Sequence, residues 1–190
     1  ELRPAAVVGF GGYASVPTIM AATRQGLVTL LHEQNAVLGR ANRMLAPRVG
    51  KIATAFPSIR GVGERNSGKL SRTGNPIRSE IAALADVPYH SPTETSRINL
   101  LVFGGSQGSR ALSLLVPAAV AALRPEQRTR LEIVQQCRPE DLEEVRSAYA
   151  RIDQPAELSS YFTDMATRLE RAHLAVTRAG ASTIAELWNE

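Results

Sequence analysis

The sequence predicts an α/β protein built on parallel sheets, and three observations lead to this fold class. Short apolar runs of strand length alternate along the chain with amphipathic patterns of helix length. Three of these runs lead directly into turns of glycine and other small residues, at 11–15, 104–109 and 178–183. A helical pattern follows each turn. Strand, small-residue turn and helix in repeated order are typical of Rossmann-type units.

Five elements are predicted in the first part of the chain, where three strands are separated by two helices. They are strands at 5–10, 27–31 and 51–56 and helices at 15–25 and 38–46. Ser15 is a candidate N-cap of the first helix, and Gly26 is placed to close it. The polar, glycine-rich residues 61–68 are predicted to form a loop.

In the second part of the chain, four further strands alternate with helices. The strands are predicted at 100–103, 131–137, 157–162 and 173–177, and the helices at 79–84, after the turn at 104–109, at 139–150, at 165–172 and after the turn at 178–183. Pro117 interrupts the pattern of the second of these helices, so we expect a kink or a restart there.

The charge balance changes sign close to Arg78. Residues 1–78 contain 11 Lys/Arg and 3 Asp/Glu, a net charge of +8, whereas residues 79–190 contain 11 Lys/Arg and 15 Asp/Glu, a net charge of −4. The Gly-Asn-Pro sequence at 74–76 marks a turn. We therefore place a domain boundary at Arg78, between a basic domain 1–78 and an acidic domain 79–190.

A basic first domain favours an anionic partner, although a solvated arginine-rich face explains the same composition. Nucleic acid is the weakest choice, because basic and aromatic residues are not interleaved and no nucleic-acid-binding motif is present. The helix at 38–46 carries Arg40 and Arg43 beside apolar residues, and Arg48 follows it. This pattern fits a membrane-surface helix or an ordinary surface helix. No apolar run reaches the roughly 20 residues of a spanning helix.

Neither a metal nor a cofactor is predicted. Three scattered histidines and one cysteine have no metal-ligand spacing. The single Cys137 excludes an intrachain disulfide and fits a reducing compartment. Residues 104–109 match neither the dinucleotide fingerprint G-x-G-x-x-G nor the P-loop.

Polar residues follow two predicted strands at the ends where ligands bind in a parallel sheet. His32-Glu33-Gln34-Asn35 stands at the end of the strand at 27–31 and indicates a polar hydrogen-bonding cluster. Gly104-Gly-Ser-Gln-Gly108 follows the strand at 100–103. It is either a steric strand-to-helix turn or an anion site formed by backbone amides and a helix N-terminus.

The same turn matches the nucleophile elbow G-x-S-x-G, with Ser106 as the nucleophile. Asp153 or Asp164, followed by His173, would keep the Ser, Asp, His order of an α/β serine hydrolase. His173, however, begins a predicted strand and therefore lies at the end of the sheet opposite Ser106. A triad needs the two side chains within hydrogen-bond reach, so the hydrolase is kept only as the alternative function.

Five motifs, in order and at similar spacing, resemble the MurG family of glycosyltransferases. They are GFGGYAS at 9–15, LHEQN at 31–35, GNPIR at 74–78, GGSQGS at 104–109 and RAGASTIAE at 178–186. This family comprises the UDP-N-acetylglucosamine:lipid I N-acetylglucosaminyltransferases of bacterial peptidoglycan synthesis. The resemblance covers essentially the whole chain, and LHEQN together with GGSQG is a specific pair.

The resemblance implies a GT-B fold, in which two Rossmann-like domains with parallel sheets face a cleft, both incomplete here. Domain 1–78 would be the C-terminal part of the acceptor- and membrane-side domain, and 79–190 most of the domain that binds UDP-GlcNAc. The family transfers GlcNAc from UDP-GlcNAc to the C4 hydroxyl of MurNAc in undecaprenyl-diphospho-MurNAc-pentapeptide (lipid I). Transfer proceeds with inversion and forms lipid II.

The resemblance also implies partners and a location. The partners would be UDP-GlcNAc, lipid I and an anionic membrane surface, with neither nucleic acid nor a cofactor. The enzyme would be peripheral, on the cytoplasmic face of the bacterial inner membrane.

Site residues follow from the same resemblance. Glu186 would hold the ribose, the backbone at Phe162 would flank the uracil, and Ser106 with Gln107 would meet the diphosphate. His32 and Glu33 are supporting candidates for catalysis. The implied donor-site set is Asn35, Arg78, Ser106, Gln107, Phe162, Arg178, Ala181, Ser182, Thr183, Ile184, Ala185 and Glu186, and the acceptor-side set is Gly11, Gly12 and Tyr13.

Parts of the family pattern are missing, which predicts a fragment. The chain starts with Glu1 rather than Met, and its last residues resemble an unfinished helix. The family's Gly-Gly-Thr-Gly-Gly-His-type loop, with the expected catalytic histidine, would precede residue 1, and a donor-binding Gln would follow residue 190. Thr163 stands where an acidic residue is common, and Ala185 where Ser often occurs. We therefore expect this chain alone to transfer no GlcNAc.

Overall fold

The computed structural model describes residues 3–105 and 108–188. The chain divides into two compact units, unit 1 (Glu1–Pro76) and unit 2 (Ile77–Glu190). Each unit contains a four-stranded sheet in which every neighbouring pair of strands is parallel. The predicted class, α/β with two parallel sheets, is confirmed.

Unit 1 alternates strands and helices. Its elements are β1 (Ala6–Gly9), α1 (Ser15–Arg24), β2 (Val28–Glu33), α2 (Arg40–Leu45), β3 (Lys51–Thr54), a 3-10 helix (Glu64–Lys69) and β4 (Leu70–Arg72). The strands are arranged in the order β1-β2-β3-β4.

The core of unit 1 forms where α1 and α2 pack on the sheet. Ile19 of α1, Leu31 of β2 and Leu45 of α2 are essentially inaccessible to solvent. Gly9 permits the close approach of α1, because a Cβ at this position would lie 3.0 Å from Cγ1 of Ile19 and 3.2 Å from Cδ2 of Leu31. A larger residue at this position would require the side chains of Ile19 and Leu31 to shift by a few tenths of an ångström, so glycine fits best where β1 packs against α1.

Unit 2 repeats the strand–helix alternation with more helices. Its elements are α3 (Ser79–Ala82), β5 (Ile98–Phe103), α4 (Arg110–Ala121), α5 (Pro125–Arg128), β6 (Leu131–Gln136), a 3-10 helix (Pro139–Asp141), α6 (Leu142–Ala150), β7 (Ala156–Ser159), α7 (Met165–Arg171), β8 (Leu174–Thr177) and α8 (Ala181–Trp188). The strand order is β7-β6-β5-β8.

Both faces of β5 are buried. Leu100 and Val102 belong to a core cluster that includes residues of α4 and α6, whereas Leu101 and Phe103 belong to a second cluster that includes Met165 of α7. Because side chains alternate along a strand, these two clusters lie on opposite faces of the sheet. The apolar run that predicted this strand is therefore the inner strand of a two-sided core.

Several predicted boundaries are wrong. The predicted loop at 61–68 contains most of the 3-10 helix, and β4 was not predicted because it is a three-residue strand with two polar residues. The strand predicted at 157–162 ends at Ser159. The strand predicted at 27–31 extends to Glu33, so it includes two residues of the polar cluster. No restart occurs at Pro117, because α4 continues through it to Ala121, and a kink there stays a prediction.

The apolar side of α2 is used inside unit 1. Leu38, just before the helix, and Ala41 and Leu45 within it are buried, and Met44 is about half exposed. Arg43 donates from Nη2 to the carbonyl oxygen of Leu38 at 3.2 Å. The segment therefore has the burial pattern of a surface helix that packs on its own core.

Within the described ranges, no helix combines the length and the apolar character needed to cross a bilayer. The same part of the chain contains no group of three or more His, Cys, Asp or Glu side chains arranged to hold a metal ion.

Cys137 offers a chemical test of the core of unit 2. Its side chain is fully buried, and burial raises the pKa of its thiol to about 11. Because the thiolate is the reactive form, we expect negligible labelling of the folded chain by DTNB at about pH 8 and complete labelling in denaturant. Labelling of the folded chain at the rate of the denatured chain would contradict this packing.

Candidate functional site

Three of the segments predicted to bind the donor leave the sheet of unit 2 at one edge. Residues 104–105 follow β5, residues 160–162 follow β7, and Arg178 follows β8. All four strands of this sheet are parallel, so their C-terminal ends lie on the same side. This is the edge where α/β proteins bind ligands.

The glycine turn after β5 favours glycine at three described positions. A Cβ on Gly104 would lie 2.6 Å from the carbonyl carbon of Gly108 and from the nitrogen of Ser109. Gly105 and Gly108 have φ angles of +87° and +73°. The N–H of Gly108 donates to the oxygen of Gly105 at 3.2 Å. Gly104 and Gly108 therefore have little room for a side chain, whereas at Gly105 it is the φ angle that favours glycine. Backbone of this kind allows the close approach of a phosphate.

Two further features support the turn. A Cβ on Gly108 would lie 3.0 Å from the nitrogen of Arg138, so the turn rests on the backbone after β6. Arg138 is held by two 2.7 Å hydrogen bonds to the buried carboxylate of Asp141, and these bonds hold the pKa of Asp141 below its ordinary value. Helix α4 begins at Arg110, and the side chain of Ser109 does not cap it. Ser106 and Gln107, the predicted diphosphate contacts, lie outside the described residues.

Arg78 and Glu186, which were predicted separately, form a bidentate ion pair. Nε of Arg78 lies 2.9 Å from Oε1 of Glu186, and Nη2 lies 3.1 Å from Oε2. The Glu186 side chain is 15% exposed and that of Arg78 is 43% exposed. The hydrogen bonds to Glu186 raise the pKa of Arg78 above its ordinary value. The sequence carries no local signal for this contact, because 108 positions separate the two residues.

The ring of Phe162 belongs to the core. It is buried together with Phe103 and Met165, and the guanidinium carbon of Arg168 lies 4.1 Å from its centroid. The side chain is therefore engaged in the core, and a contact with uracil remains a prediction for the Phe162 backbone. The neighbouring Tyr161 is 60% exposed.

The last predicted donor residues occupy the start of α8. This helix spans Ala181–Trp188, and none of its described side chains is buried. Arg178, in the turn before the helix, is exposed. Ser182 is exposed, whereas Ala181, Thr183, Ile184 and Ala185 are partly exposed. Their roles stay predictions.

In unit 1, Glu33 is the centre of a hydrogen-bond cluster at the end of β2. Its Oε1 accepts from the backbone and side-chain nitrogens of Asn35 at 3.1 and 3.2 Å. Its Oε2 accepts from the backbone nitrogen of Gly39 and from Nδ2 of Asn42, both at 2.9 Å. Burial raises the pKa of Glu33, but these bonds outweigh burial and lower the pKa below its ordinary value. Glu33 is thus a charged acceptor that organises the loop after β2.

His32 is buried next to Glu33. Its Nε2 lies 2.9 Å from the carbonyl oxygen of Gly74, which makes Nε2 the protonated nitrogen. Its ring centroid lies 5.4 Å from that of Phe10. In the described part of the chain, no hydrogen-bond partner is found for Nδ1. The contact with Gly74 joins β2 to the chain just after β4.

A cavity of about 250 Å³ joins this cluster to the predicted acceptor-side loop. Its lining includes Gly11, Gly12, Tyr13, Glu33 and Asn42. The two glycines have φ angles of +86° and +73°, which favour glycine. Asn42 was not predicted, because its contact with Glu33 depends on how α2 packs against β2.

Ser15 is not the N-cap that was predicted. It is the first residue of α1, and its hydroxyl donates to the carbonyl oxygens of Gly11 and Gly12 at 3.0 and 2.9 Å. Its side chain therefore stabilises the glycine turn rather than the helix amides.

The position of His173 argues against the hydrolase alternative. Its Nδ1 accepts from the backbone N–H of Asn99 at 2.9 Å, and its own N–H donates to the oxygen of Asn99 at 2.9 Å. Both contacts lie near the N-terminal end of β5, whereas Gly104 follows the C-terminal end. His173 is therefore at the wrong end of the sheet for a triad with the glycine turn.

Comparison with protein families matches both units. Residues 1–54 match the glycosyltransferase family 28 N-terminal domain, and residues 99–189 match the glycosyltransferase family 28 C-terminal domain. The chain belongs to glycosyltransferase family 28. The comparisons give no support to a serine hydrolase.

This family 28 chain is similar to proteins named UDP-N-acetylglucosamine–N-acetylmuramyl-(pentapeptide) pyrophosphoryl-undecaprenol N-acetylglucosamine transferase. It is 52% identical to that of Erythrobacter litoralis and 55% identical to that of Paramagnetospirillum magneticum, over 98% of this chain and 47% and 50% of those proteins. The crystal structure of Acinetobacter baumannii MurG is 30% identical, with a TM-score of 0.69 over 96% of this chain and 49% of that one.

The likeness to the MurG structure confirms the predicted GT-B fold class. The family 28 chain spans about half the length of the relatives that it matches.

The Glu33 cluster should make stability depend on pH. Because the pKa of Glu33 is lowered on folding, its stabilisation is present above its ordinary pKa and is lost as pH falls through the lowered value. We expect Glu33→Gln to reduce the free energy of unfolding by about 2 kcal/mol at neutral pH, because the new amide NH2 faces other donors. We also expect a flatter acid limb in urea titrations.

The matched control is Glu64→Gln, which changes an exposed acid in the same unit. It should leave both stability and the acid limb unchanged. Equal effects of the two substitutions would contradict the role given to Glu33.

Proposed function

We propose that this chain contains the donor-binding and acceptor-side parts of a transferase that moves GlcNAc from UDP-GlcNAc to lipid I. The bond would form at the C4 hydroxyl of MurNAc with inversion, and the product would be lipid II for peptidoglycan synthesis. One observation carries the proposal: the glycine turn, the segment before Phe162 and the Arg178 turn all follow parallel strands at one edge of unit 2. Relatives about 50% identical are named as this transferase.

The chemistry of that edge suits a nucleoside diphosphate. Backbone amides of the glycine turn and the uncapped start of α4 favour negative charge, so they are proposed to hold the diphosphate. Arg178, which follows β8 at the same edge of the sheet, adds a positive charge. Departure of a diphosphate is the step that such donors stabilise, because negative charge develops on its oxygens.

Glu186 is proposed to hold the ribose. A carboxylate can accept hydrogen bonds from both hydroxyls of a nucleotide ribose. In the structure, both carboxylate oxygens of Glu186 are engaged by Arg78. Ribose binding would therefore replace or share these bonds, and the freed guanidinium of Arg78 would be available to the diphosphate. The backbone at Phe162 is proposed to flank the uracil, and Asn35 of unit 1 is proposed to belong to the donor site.

Unit 1 is proposed to serve the acceptor. Inverting transfer needs a base for the acceptor hydroxyl. Glu33 is poorly suited to this task, because its carboxylate already accepts four hydrogen bonds and its pKa is lowered. Glu33 is instead proposed to support the cavity that is lined by Gly11, Gly12 and Tyr13, among others. Residues 1–78 and 79–190 are proposed as the acceptor-side and donor-side domains.

We also propose that the enzyme is peripheral, on the cytoplasmic face of the bacterial inner membrane. The net charge of +8 over residues 1–78 favours an anionic surface. Arg40 and Arg43 are exposed beside Met44, which is 49% exposed, and Tyr13 is 78% exposed. These side chains are suited to lipid headgroups.

UDP should protect the chain against thermal unfolding. A ligand at a hundredfold excess over its Kd stabilises the folded state by about 2.7 kcal/mol. We expect UDP to raise the melting temperature of the wild-type chain in differential scanning fluorimetry, and Glu186→Ala to remove most of this shift, because the ribose acceptor is lost.

Glu132→Ala is the matched control. It removes another 2.9 Å arginine–glutamate pair of unit 2, with Arg97, at the opposite end of the sheet. Protection by UDP should persist in this variant. An unprotected wild-type chain, or full protection of Glu186→Ala, would refute the proposed donor site.

Charge reversal tests the membrane proposal. We expect the chain to sediment with vesicles of phosphatidylcholine and phosphatidylglycerol but not with phosphatidylcholine alone. The double substitution Arg40→Glu and Arg43→Glu should weaken this binding at least about tenfold, because each basic residue near the surface contributes about 1 kcal/mol. Reversing Arg146 and Arg151 of unit 2 should change it little. Equal binding of the two double variants would exclude α2 from the membrane contact.

A further inference from the structure

One buried amide side chain joins two of the segments at the candidate donor site. Gln136 is the last residue of β6, the strand between β5 and β7, and it is 3% exposed. Its Oε1 accepts from the backbone N–H of Gly104 at 3.4 Å. Its Nε2 donates to the carbonyl oxygen of Ser160 at 3.2 Å. The side chain therefore connects the segments that follow both neighbouring strands.

Each of these two contacts lies at a position that matters for the donor site. Gly104 is the first residue of the glycine turn, and Ser160 lies two residues before Phe162. The main-chain bond from Cys137 N–H to the oxygen of Ser159, at 2.9 Å, lies directly beside the Gln136 contact. Main-chain hydrogen bonds thus pair β6 with β7 as far as Ser159, and the Gln136 side chain makes the next contact, at Ser160.

The chemistry at position 136 requires an amide. One partner is an N–H donor and the other is a carbonyl acceptor, so the side chain has to accept at one atom and donate at another. A carboxylate lacks the donor, and a thioether of similar length supplies neither bond of comparable strength. Burial makes an unmade bond costly at either end.

We propose that Gln136 is a positioning residue that sets the spacing between the diphosphate-binding turn and the base-binding segment. This inference rests on the proposed function. With both segments held at a fixed separation, one nucleoside diphosphate binds to them simultaneously. The fixed spacing raises the affinity for such a ligand, just as a linker of the correct length raises the affinity of a bivalent ligand.

The proposal distinguishes a ligand that spans both segments from ligands that reach one. Uridine carries the base and ribose, and pyrophosphate carries only the anionic part. A looser spacing should lower the affinity for UDP while leaving the affinities for uridine and for pyrophosphate nearly unchanged. A general loss of structure would instead weaken all three.

The adjacent Gln135 provides a matched control. It is fully buried on the same strand, its Oε1 accepts from the hydroxyl of Tyr149 at 2.6 Å, and its Nε2 donates to the oxygen of Leu112 at 3.3 Å. Because side chains alternate along a strand, it projects to the opposite face from Gln136. It therefore has similar burial and bonding, without a contact to Gly104 or Ser160.

The experiment compares Gln136→Met with Gln135→Met in the 190-residue chain. Isothermal titration calorimetry measures the affinities for UDP, uridine and pyrophosphate, and urea titration measures the stability. For Gln136→Met we expect UDP affinity to fall about tenfold or more, with uridine and pyrophosphate within about twofold of wild type. Gln135→Met should destabilise the fold yet keep all three affinities within about twofold.

Several outcomes would overturn the proposal. Equal losses for all three ligands in Gln136→Met would show a merely structural role, as would an equal loss of UDP affinity in Gln135→Met. A wild-type chain that does not bind UDP would refute the proposed function itself. A wild-type chain that binds UDP, with the two variants behaving alike, would refute only the role of Gln136.

Two additions keep the test decisive if Gln136→Met does not fold. Gln136→Glu retains an acceptor for Gly104 and loses the donor to Ser160, so a partial loss of UDP affinity is expected, and wild-type affinity would refute the proposal. In the wild-type chain, the side-chain amide resonances of Gln136 should shift on addition of UDP while those of Gln135 stay in place. Unshifted Gln136 resonances would equally refute it.

Discussion

The parallel pairing of β5 with β6 and β8 is the constraint on which the arrangement of unit 2 depends. β5 is buried on both faces, so its register and direction are specified by two apolar clusters at once. Because the neighbouring strands are parallel, the turns that follow them all lie at the C-terminal edge of the sheet. The turns after β5, β7 and β8 are near one another because of this pairing, although they are far apart in sequence.

The two carboxylates singled out by the resemblance have different surroundings. The carboxylate of Glu33 accepts four hydrogen bonds from residues of its own unit. Two of the donors are the backbone amides of Asn35 and Gly39. Among the described residues, Glu186 is paired with the guanidinium of Arg78, which is itself 43% exposed. The first arrangement is suited to support a loop permanently. The second can be exchanged for hydroxyl groups of a ligand, because both charged partners retain access to water.

The glycine turn shows how much support a small motif needs. Its backbone rests on Arg138, which is held by buried Asp141, and its first amide is bonded to the buried Gln136. None of these side chains belongs to the GGSQGS motif. The glycines of the motif allow the backbone to adopt the turn. The last residue of β6 and the residues that follow it pack against this backbone and fix its position.

The sequence by itself determined the α/β class and the existence of the long elements, because alternating strand and helix patterns with small-residue turns have few other solutions. It did not reveal β4, which has too few residues for a periodic signal, nor the contacts between Arg78 and Glu186, Asn42 and Glu33, or Gln136 and Gly104. Only the tertiary structure decided these, because each joins residues whose proximity results from strand order and helix packing rather than from local sequence preference.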